Sequence, residues 1–279
     1  MRRNSFGLYL GAVVTSVVIL LPFYWEFVSA ISPMSELIST PPHLFPEHPT
    51  MGNFISLFTG KGESMGVAIF LSALKNSFGI AAVTTAICVA IGSLAAYALA
   101  RFKPRFEKSY LKGVLVLSMF PPIALSIAMY AFTIRLGIYD TWWALILVYS
   151  SFTLPYVIWM MHGFFLTIPK EIEEAALIDG ATPYGVFLKV VLPMSVNGLA
   201  TTATFSFLTA WDEFMFALIL TSSPRAKTVT VAISEFVTHH MMNFGLMMAG
   251  GVVAALPPLL IGIIFQKWLI KGLTSGAIK

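Results

Sequence analysis

Six long apolar runs alternate with shorter polar segments along this chain of 279 residues. A helix needs roughly 20 mostly apolar residues to cross the hydrocarbon core of a bilayer, and each run reaches that length. Because lipid offers backbone amides no partner, and because the runs are too long and too uniformly apolar for barrel strands, each is predicted to be helical. The predicted spans are residues 8–31, 77–100, 112–134, 142–166, 197–221 and 247–270. Prolines at 121 and 122, at 155, and at 257 and 258 are expected to kink three of these spans, because proline removes a backbone hydrogen bond.

The basic residues indicate how these spans are oriented. Cytoplasmic loops of membrane proteins carry an excess of lysine and arginine. If both termini are inside, 12 of the 17 basic residues lie on the cytoplasmic side. The five on the outside are Lys61, Lys75, Arg135, Arg225 and Lys227. The predicted fold is therefore an all-α polytopic membrane protein with six transmembrane helices and both termini in the cytoplasm.

The composition agrees with a membrane environment and excludes several classes of function. Hydrophobic residues make up 57% of the chain and charged residues 11%, whereas a soluble domain carries roughly a quarter charged residues. The basic residues flank the apolar runs instead of forming one stripe, so no nucleic acid partner is expected. Cys88 is the single cysteine, which rules out an intrachain disulfide. The loop histidines at 43, 48, 239 and 240 have no cysteine or convergent carboxylate beside them, so no metal site is expected.

The first apolar run imitates a secretory signal, because two arginines precede it and Val28-Ser29-Ala30 looks like a cleavage site. Its length exceeds the short apolar core of a signal, and Pro22 and Glu26 fit poorly so close to a cleavage point. We expect it to remain as the first span.

The expected domain division follows from the runs. Residues 1–72 hold the first transmembrane helix and an outside loop rich in proline and glycine. Residues 73–271 form a core of five helices, and residues 272–279 form a cytoplasmic tail.

The connection between spans four and five, residues 168–193, has the local chemistry of two short helices. Pro169 suits a first helical position, and Gly180 can take the left-handed conformation that ends a helix. Thr182 then caps a second helix, which Pro193 is expected to close. The predicted result is a compact helical elbow on the cytoplasmic side.

The elbow combines acidic residues at 171, 173 and 174 with small residues at 175, 176 and 180. Small side chains permit the close approach of another surface. The residues alone leave two interpretations open, namely a docking surface for another protein or an ordinary amphipathic helix on the membrane surface.

The spacing of this segment resembles the signature loop of bacterial and archaeal ABC-importer permeases of the type I fold. The matching residues are Glu174-Ala175-Ala176, Gly180, Val190 and Leu192-Pro193. Further segments that resemble the family are residues 76–77, 95–101, 119–122, 136–141, 211–214 and 272–277. Together they look most like the smaller permease of carbohydrate importers of the maltose and trehalose type. The chain departs from the family at Asp212, where asparagine is common.

The resemblance implies a permease subunit that forms the path for a sugar, a di- or oligosaccharide, within the cell membrane. Its implied partners are a second homologous permease, two ATPase subunits, an extracytoplasmic sugar-binding protein and membrane lipid. Residues 73–271 would then be the type I permease core, and the elbow its coupling helix. The implied ATPase-coupling residues are Glu174, Ala175, Ala176, Asp179 and Gly180. Among them Glu174 would be the charged contact, Ala175 and Ala176 the close-packed face, and Gly180 the turn.

The sequence itself supports a separate ATPase. No G-x-x-x-x-G-K-[ST] loop occurs, because Gly60-Lys61-Gly62 lacks the required spacing and hydroxyl. The chain is therefore expected to be no enzyme and to bind no cofactor, while ATP and Mg²⁺ are used by the partner ATPase.

Ionisable residues inside the apolar runs leave a second hypothesis open, since such residues are costly in a membrane and usually functional. Glu26, Asp212 and Glu213 would suit an ion-coupled secondary transporter, with Arg135 as a candidate partner for Asp212. The candidate translocation-path residues are Trp211, Asp212, Glu213, Pro121 and Pro155. No Ser/Lys, paired-Asp or H-E-x-x-H arrangement occurs at membrane depth, so an intramembrane enzyme is not expected.

Overall fold

A computed structural model describes residues 5–41, 43–61, 65–117, 119–236 and 243–275. Within these ranges the regular secondary structure is all helical. The helices are α1 (Ser5–Ala30), α2 (Met34–Leu37), α3 (Gly52–Thr59), α4 (Met65–Phe102), α5 (Glu107–Leu117), α6 (Pro122–Arg135), α7 (Trp142–Leu166), α8 (Lys170–Ile178), α9 (Pro183–Val186), α10 (Leu192–Met194), α11 (Val196–Trp211), α12 (Met215–Leu220), α13 (Val229–Ser234) and α14 (Phe244–Ser275). A π-helical turn, Phe187–Val191, joins α9 to α10.

Four of the described helices are long and apolar enough to cross a membrane. They are Gly7–Ala30, Gly66–Phe102, Trp142–Leu166 and Phe244–Ile270. A fifth crossing results if Pro183–Met194 and Val196–Trp211, which meet at an angle of 79°, form one broken span. The all-helical membrane architecture is thus confirmed, while six spans and the side of the termini stay predictions.

The third predicted span is not one helix. Residues 112–134 were predicted to form one span that Pro121 and Pro122 kink. The interruption is larger than a kink, because α5 ends at Leu117 and α6 begins only at Pro122. Pro121 is the N-cap of α6 in an extended conformation, and neither proline can donate a backbone hydrogen bond. The prolines of α7 and α14 behave differently, because Pro155 and the pair at 257 and 258 lie inside unbroken helices.

The fifth predicted span is also broken. The chain leaves the helical path at residues 212–214, between α11 and α12. Glu213 satisfies the freed donors, since its carboxylate accepts hydrogen bonds from the backbone N–H groups of Phe216 (2.8 Å) and Ala217 (3.1 Å). A carboxylate at this position also complements the positive end of the α12 dipole. The prediction of one helix over 197–221 is therefore wrong.

Contacts divide the chain into two compact units. The first comprises Met1–Leu74 and Val229–Leu256, and the second comprises Lys75–Thr228 and Pro257–Lys279. The domain boundaries expected from the sequence stay a prediction.

In the first unit, α1 exposes most of its apolar side chains, as a helix in contact with lipid would. Its last turn is different, because Val28 and Ala30 are buried. Glu26 faces Gly251 so closely that a Cβ at Gly251 would collide with its carboxylate. In the loop after α1, Glu36 accepts hydrogen bonds from the backbone N–H groups of Glu47 (2.9 Å) and His48 (3.0 Å). The His48 ring lies 3.1 Å from the same carboxylate, so this histidine helps to close the loop.

In the second unit, Asp140 ties the α6–α7 connection to the segment after α12. Its Oδ1 accepts hydrogen bonds from the backbone N–H groups of Ser222 (2.9 Å) and Ser223 (3.1 Å), and its Oδ2 accepts one from the Ser223 hydroxyl (2.6 Å). Partial burial tends to raise the pKa of Asp140, but these hydrogen bonds outweigh it and hold the pKa below the ordinary value of 3.8.

Asn76 holds the same segment from α4. Its amide donates to the carbonyls of Pro224 (3.1 Å) and Lys227 (2.9 Å), and its oxygen accepts from the Trp142 indole (3.1 Å). We call the set of Asn76, Asp140 and Trp142 around residues 221–228 the loop clamp.

Replacing Asp140 tests the clamp. Asp140→Ala is expected to lower the free energy of unfolding by about 1 to 3 kcal/mol, because it removes a charged acceptor of three hydrogen bonds. Thermal unfolding of the purified protein in detergent measures the loss. Asp140→Asn is the matched control, since asparagine tolerates the positive φ of 57° at this residue and keeps an acceptor oxygen.

The pH dependence has a defined sign. The folded-state pKa is lowered, so the stabilisation is present above the ordinary value of 3.8 and is lost as the pH falls through the folded-state pKa. The difference between the parent and Asp140→Ala should therefore shrink below about pH 4. A difference of the same size at pH 3 and at pH 7 would contradict this role of the carboxylate.

Candidate functional site

The elbow begins with α8, whose first turn is acidic. Glu171 and Glu173 lie in this turn, where negative charge complements the helix dipole. Pro169 is the N-cap (φ −59°, ψ 134°), so the helix starts at Lys170. The prediction that Pro169 takes the first helical position is wrong by one residue, because its ψ angle is extended.

Gly180 closes α8 as predicted. Its φ is +89°, which is the left-handed region. The Gly180 N–H donates to the Leu177 carbonyl (3.1 Å) and the Ala181 N–H donates to the Ala176 carbonyl (3.0 Å). These two bonds form a Schellman motif, which satisfies carbonyl groups that the helix end would otherwise leave without partners.

Thr182 caps α9 as predicted, because its Oγ1 accepts a hydrogen bond from the Gly185 N–H (3.1 Å). Pro193, however, does not close the second helix. The π-helical turn shifts the hydrogen-bond pattern, so that Pro193 lies near the start of α10, where a missing N–H is tolerated. The helical path runs on to Met194 and bends only there.

The exposed face of α8 is acidic and apolar at once. Glu174, Ala175 and Asp179 are all exposed, and Ile178 is 86% exposed. Ala176 lies on the opposite face, where it packs against the core of its own unit. The structure therefore separates the two alanines of the motif, and Ala176 supports α8 from behind.

The core behind α8 joins it to the second and fourth predicted spans. Its buried members come from α4, α7 and the elbow, and Ala176 and Ala181 pack against them. They are Cys88, Ala96, Leu99, Ala100, Val157, Ile158, Met161, Phe165, Ile168, Val186, Phe187 and Val191. The elbow is thus a packed extension of the membrane helices.

Glu173 is the site residue that the sequence analysis missed. It is 7% exposed and forms an ion pair with Arg101 at the end of α4. Arg101 Nε donates to Glu173 Oε1 (2.5 Å), and the Tyr97 hydroxyl donates to Oε2 (2.8 Å). Arg101 also donates to the carbonyl of Ile168 (3.2 Å). The available signal was the polar pair of Tyr97 and Arg101 in residues 95–101, a segment that already resembled the family.

A cavity of about 210 Å³ lies among the start of α6, α7, α11 and α12. It combines aromatic rings with hydroxyl and carboxylate groups. Its lining residues are Phe120, Pro122, Tyr149, Phe152, Thr153, Thr209, Ala210, Glu213 and Phe216. The rings of Phe152 and Phe216 stack with centroids 5.1 Å apart. Such a mixture of flat apolar faces and oxygen groups suits a sugar ring.

Of the five candidate path residues, Glu213 lines this cavity. Trp211 is 3% exposed and stacks on Phe207 with centroids 5.8 Å apart. Asp212 is the exposed C-cap of α11, and Pro155 is half-buried inside α7. Pro121 precedes Pro122 of the lining but does not itself line the cavity.

The expected partner of Asp212 is not observed. The described residues include both Asp212 and Arg135, and no ion pair joins them. The placement assumed one straight helix through residue 212, whereas α11 ends there. Among the described residues no group of three or more His, Cys, Asp or Glu could hold a metal ion. His239 and His240 lie outside the described residues.

Comparison with known proteins decides the family. Residues 88–275 match the binding-protein-dependent transport system inner membrane component family. The chain belongs to this family. The predicted resemblance is thereby confirmed, and the chain is a multi-pass inner-membrane permease subunit of an ABC importer.

Relatives match this permease along nearly its whole length. It is 36% identical to a trehalose transport system permease protein of Mycobacterium tuberculosis, covering 100% of this chain and 98% of the relative. It is 35% identical to a trehalose/maltose transport system permease protein of Thermococcus litoralis, covering 98% and 96%. It is 33% identical to a sulfoquinovosyl glycerol transport system permease protein of Agrobacterium fabrum, covering 97% and 93%.

Solved structures share the fold of this permease. A chain of a bacterial ABC transporter that imports the acidic polysaccharide alginate superposes with a TM-score of 0.77 at 18% identity, covering 96% of this chain and 98% of that one. A chain of the MetNI methionine ABC transporter superposes with a TM-score of 0.58 at 19% identity, covering 73% and 96%. At these identities the likeness shows the fold alone.

Proposed function

We propose that this permease forms part of a sugar path through the cell membrane and that its elbow couples the path to a separate ATPase. The observation that carries the proposal is the elbow itself. A capped helix exposes Glu174, Ala175 and Ile178 on one side and packs on the membrane helices with the other. A rigid element with one exposed and one anchored face suits the transfer of motion between two proteins.

Sugar as the substrate class is supported by two observations. The relatives at 33–36% identity carry the names of transporters for trehalose, for trehalose and maltose, and for sulfoquinovosyl glycerol. The cavity near Glu213 also offers stacked rings beside hydroxyl groups. A di- or oligosaccharide is proposed as the cargo, and one sugar unit as the occupant of the cavity.

The proposed topology has six spans with both termini in the cytoplasm. The two broken helical pairs, residues 107–135 and 196–220, each complete one span in this arrangement. A break in a membrane helix is tolerated where protein or a water-filled path satisfies the freed backbone groups. Placing both breaks along the path therefore accounts for them. The topology with both termini inside accounts for the 12 to 5 distribution of basic residues.

The proposed assembly contains a second homologous permease, two ATPase subunits that use ATP and Mg²⁺, and an extracytoplasmic sugar-binding protein. One structural neighbour is described as an alginate transporter in complex with a periplasmic protein that holds an alginate pentasaccharide. An importer of this kind leaves ATP hydrolysis to its partners, so the permease is proposed to be no enzyme.

Reconstitution in proteoliposomes tests the function. The complex, purified with its partner subunits and binding protein, is expected to take up the sugar that co-purifies with the binding protein only when Mg²⁺-ATP is supplied. Uptake driven by a proton gradient without nucleotide would instead support an ion-coupled transporter. The same preparation serves the variants that follow.

The charge of Glu174 is expected to matter for docking. Glu174→Lys should lower sugar uptake by roughly tenfold or more, because it would place a positive charge against the basic ATPase surface that Glu174 is proposed to contact. Like charges placed together at an interface cost several kcal/mol. The level of the variant in the membrane should stay normal, since this side chain is exposed. Glu171→Lys, which adds the same charge to the same helix, is the matched control and should have the smaller effect. Parental uptake by Glu174→Lys in an intact complex would show that the assigned contact is wrong.

The left-handed turn at Gly180 is expected to set the shape of the elbow. Gly180→Val forces a β-branched residue to a φ of +89°, which costs on the order of 1 to 3 kcal/mol. Pull-down of the ATPase subunit by the variant permease should fall clearly. Gly180→Asn is the control, because asparagine adopts this conformation more readily. Equal pull-down by the valine variant and the parent would refute the role of the turn.

Asp212 is expected to act without its charge. It is exposed and makes no ion pair with Arg135, so Asp212→Asn should change sugar uptake by no more than about twofold between pH 5.5 and 8. The measurement is uptake by parent and variant across that range. Abolished uptake, or the loss of a pH dependence present in the parent, would favour the ion-coupled alternative.

A further inference from the structure

A buried ion pair fastens the elbow to the end of α4. The side chains of Arg101 and Glu173 are 10% and 9% exposed, and two nitrogens of the guanidinium contact Glu173 Oε1. Tyr97 completes the arrangement, because its hydroxyl donates a hydrogen bond to Glu173 Oε2. The centroid of its ring lies 6.0 Å from the guanidinium carbon of Arg101. Both carboxylate oxygens therefore have donors.

Stability alone does not account for this pair. Removing two charges from water costs several kcal/mol per ion, and well-packed apolar residues often hold such surfaces together equally well. What an ion pair adds is direction, since the planar guanidinium accepts few orientations of its partner. The apolar contacts around Ala176 and Phe187 have no comparable directional preference.

The pair connects α8 with α4, two helices that must move together if the elbow couples an ATPase to the sugar path. Glu173 lies in the first turn of α8 and is buried, whereas the next residue, Glu174, is exposed. Arg101 lies in the last turn of α4, a helix of 38 residues. Arg101 also holds the Ile168 carbonyl just after α7, so a displacement of α8 reaches two membrane helices through one side chain.

We infer that the Arg101–Glu173 pair, oriented by Tyr97, is the positioning link that passes movement of α8 to α4. The inference rests on the proposed docking of α8 on the ATPase and extends it inward from the docking surface. Neither residue touches ATP or sugar; both act by keeping α8 and α4 in one fixed relation while the ATPase moves.

The test measures ATP hydrolysis and sugar uptake in the same proteoliposomes of the full complex. Glu173→Gln removes the charge and keeps the size and an acceptor for Tyr97. It is expected to assemble with the ATPase and hydrolyse ATP, while the sugar taken up per ATP falls about tenfold, a typical size for a coupling free energy between two sites. Glu171→Gln, an exposed neighbour on α8, is the control and should keep the parental ratio.

Further variants separate positioning from general support. Arg101→Lys keeps the charge but loses the planar guanidinium. The sugar taken up per ATP hydrolysed should therefore fall, while the thermal midpoint of the complex stays near that of the parent. The exchanged pair, Arg101→Glu with Glu173→Arg, should recover part of the ratio relative to Glu173→Arg alone. Arg101→Lys also serves as the deciding variant if Glu173→Gln does not assemble.

The outcomes distinguish the link from the docking surface. If Glu173→Gln and Arg101→Lys both take up as much sugar per ATP hydrolysed as the parent, the link is overturned, even if Glu174→Lys lowers uptake. Normal assembly and uptake in Glu174→Lys overturns the docking surface itself. A lowered ratio in the pair variants together with normal ATP hydrolysis supports the link.

Discussion

The fold depends on one constraint, which is that a backbone inside lipid must satisfy its own hydrogen bonds. Long helices meet this requirement, and α1, α4, α7 and α14 are the direct result. The departures from straight helices then need local solutions. The Glu213 carboxylate accepts hydrogen bonds from the first backbone N–H groups of α12. Pro122 is the first residue of α6, where a backbone N–H would have no partner within the helix. The breaks are thus built into the fold by specific side chains, and they surround the cavity that suits a sugar.

The elbow obeys the same requirement outside the membrane. The Schellman motif at Gly180 and the Thr182 cap satisfy the two ends that meet at the turn. Its inner face is apolar apart from Glu173, which Arg101 and Tyr97 satisfy in full. Within the part of the chain that the structure describes, the outer face has no ion-pair partner at Glu174 and leaves Ile178 exposed, and this is the face proposed to dock on the ATPase. Capping, packing and the proposed docking therefore use separate residues of one short segment.

Much of this was predictable because it depends on neighbours in sequence. The apolar runs, the glycine that ends α8 and the threonine that caps α9 are local signals, and they were interpreted correctly. The break within 197–221 was not, since hydropathy records how apolar these residues are and takes no account of where helices stop. Within 112–134 the two prolines marked a kink, but they did not reveal that α5 and α6 are separate helices. Glu173 was overlooked for a different reason. Its partner lies 72 residues earlier in the chain, and among three nearby acidic residues nothing local marks the one that is buried.

At the other end of the second unit from the elbow, the loop clamp keeps residues 221–228 ordered. Residues 221–228 would be a mobile connection if only their own sequence held them, yet three side chains reach them from two other parts of the chain. Asn76 comes from α4, and Asp140 and Trp142 come from the start of α7 and the connection before it. A loop ordered in advance loses little conformational freedom when a second protein binds it. The contacts that a partner makes with this loop would then contribute to affinity nearly in full, because little of their free energy is spent on ordering the loop.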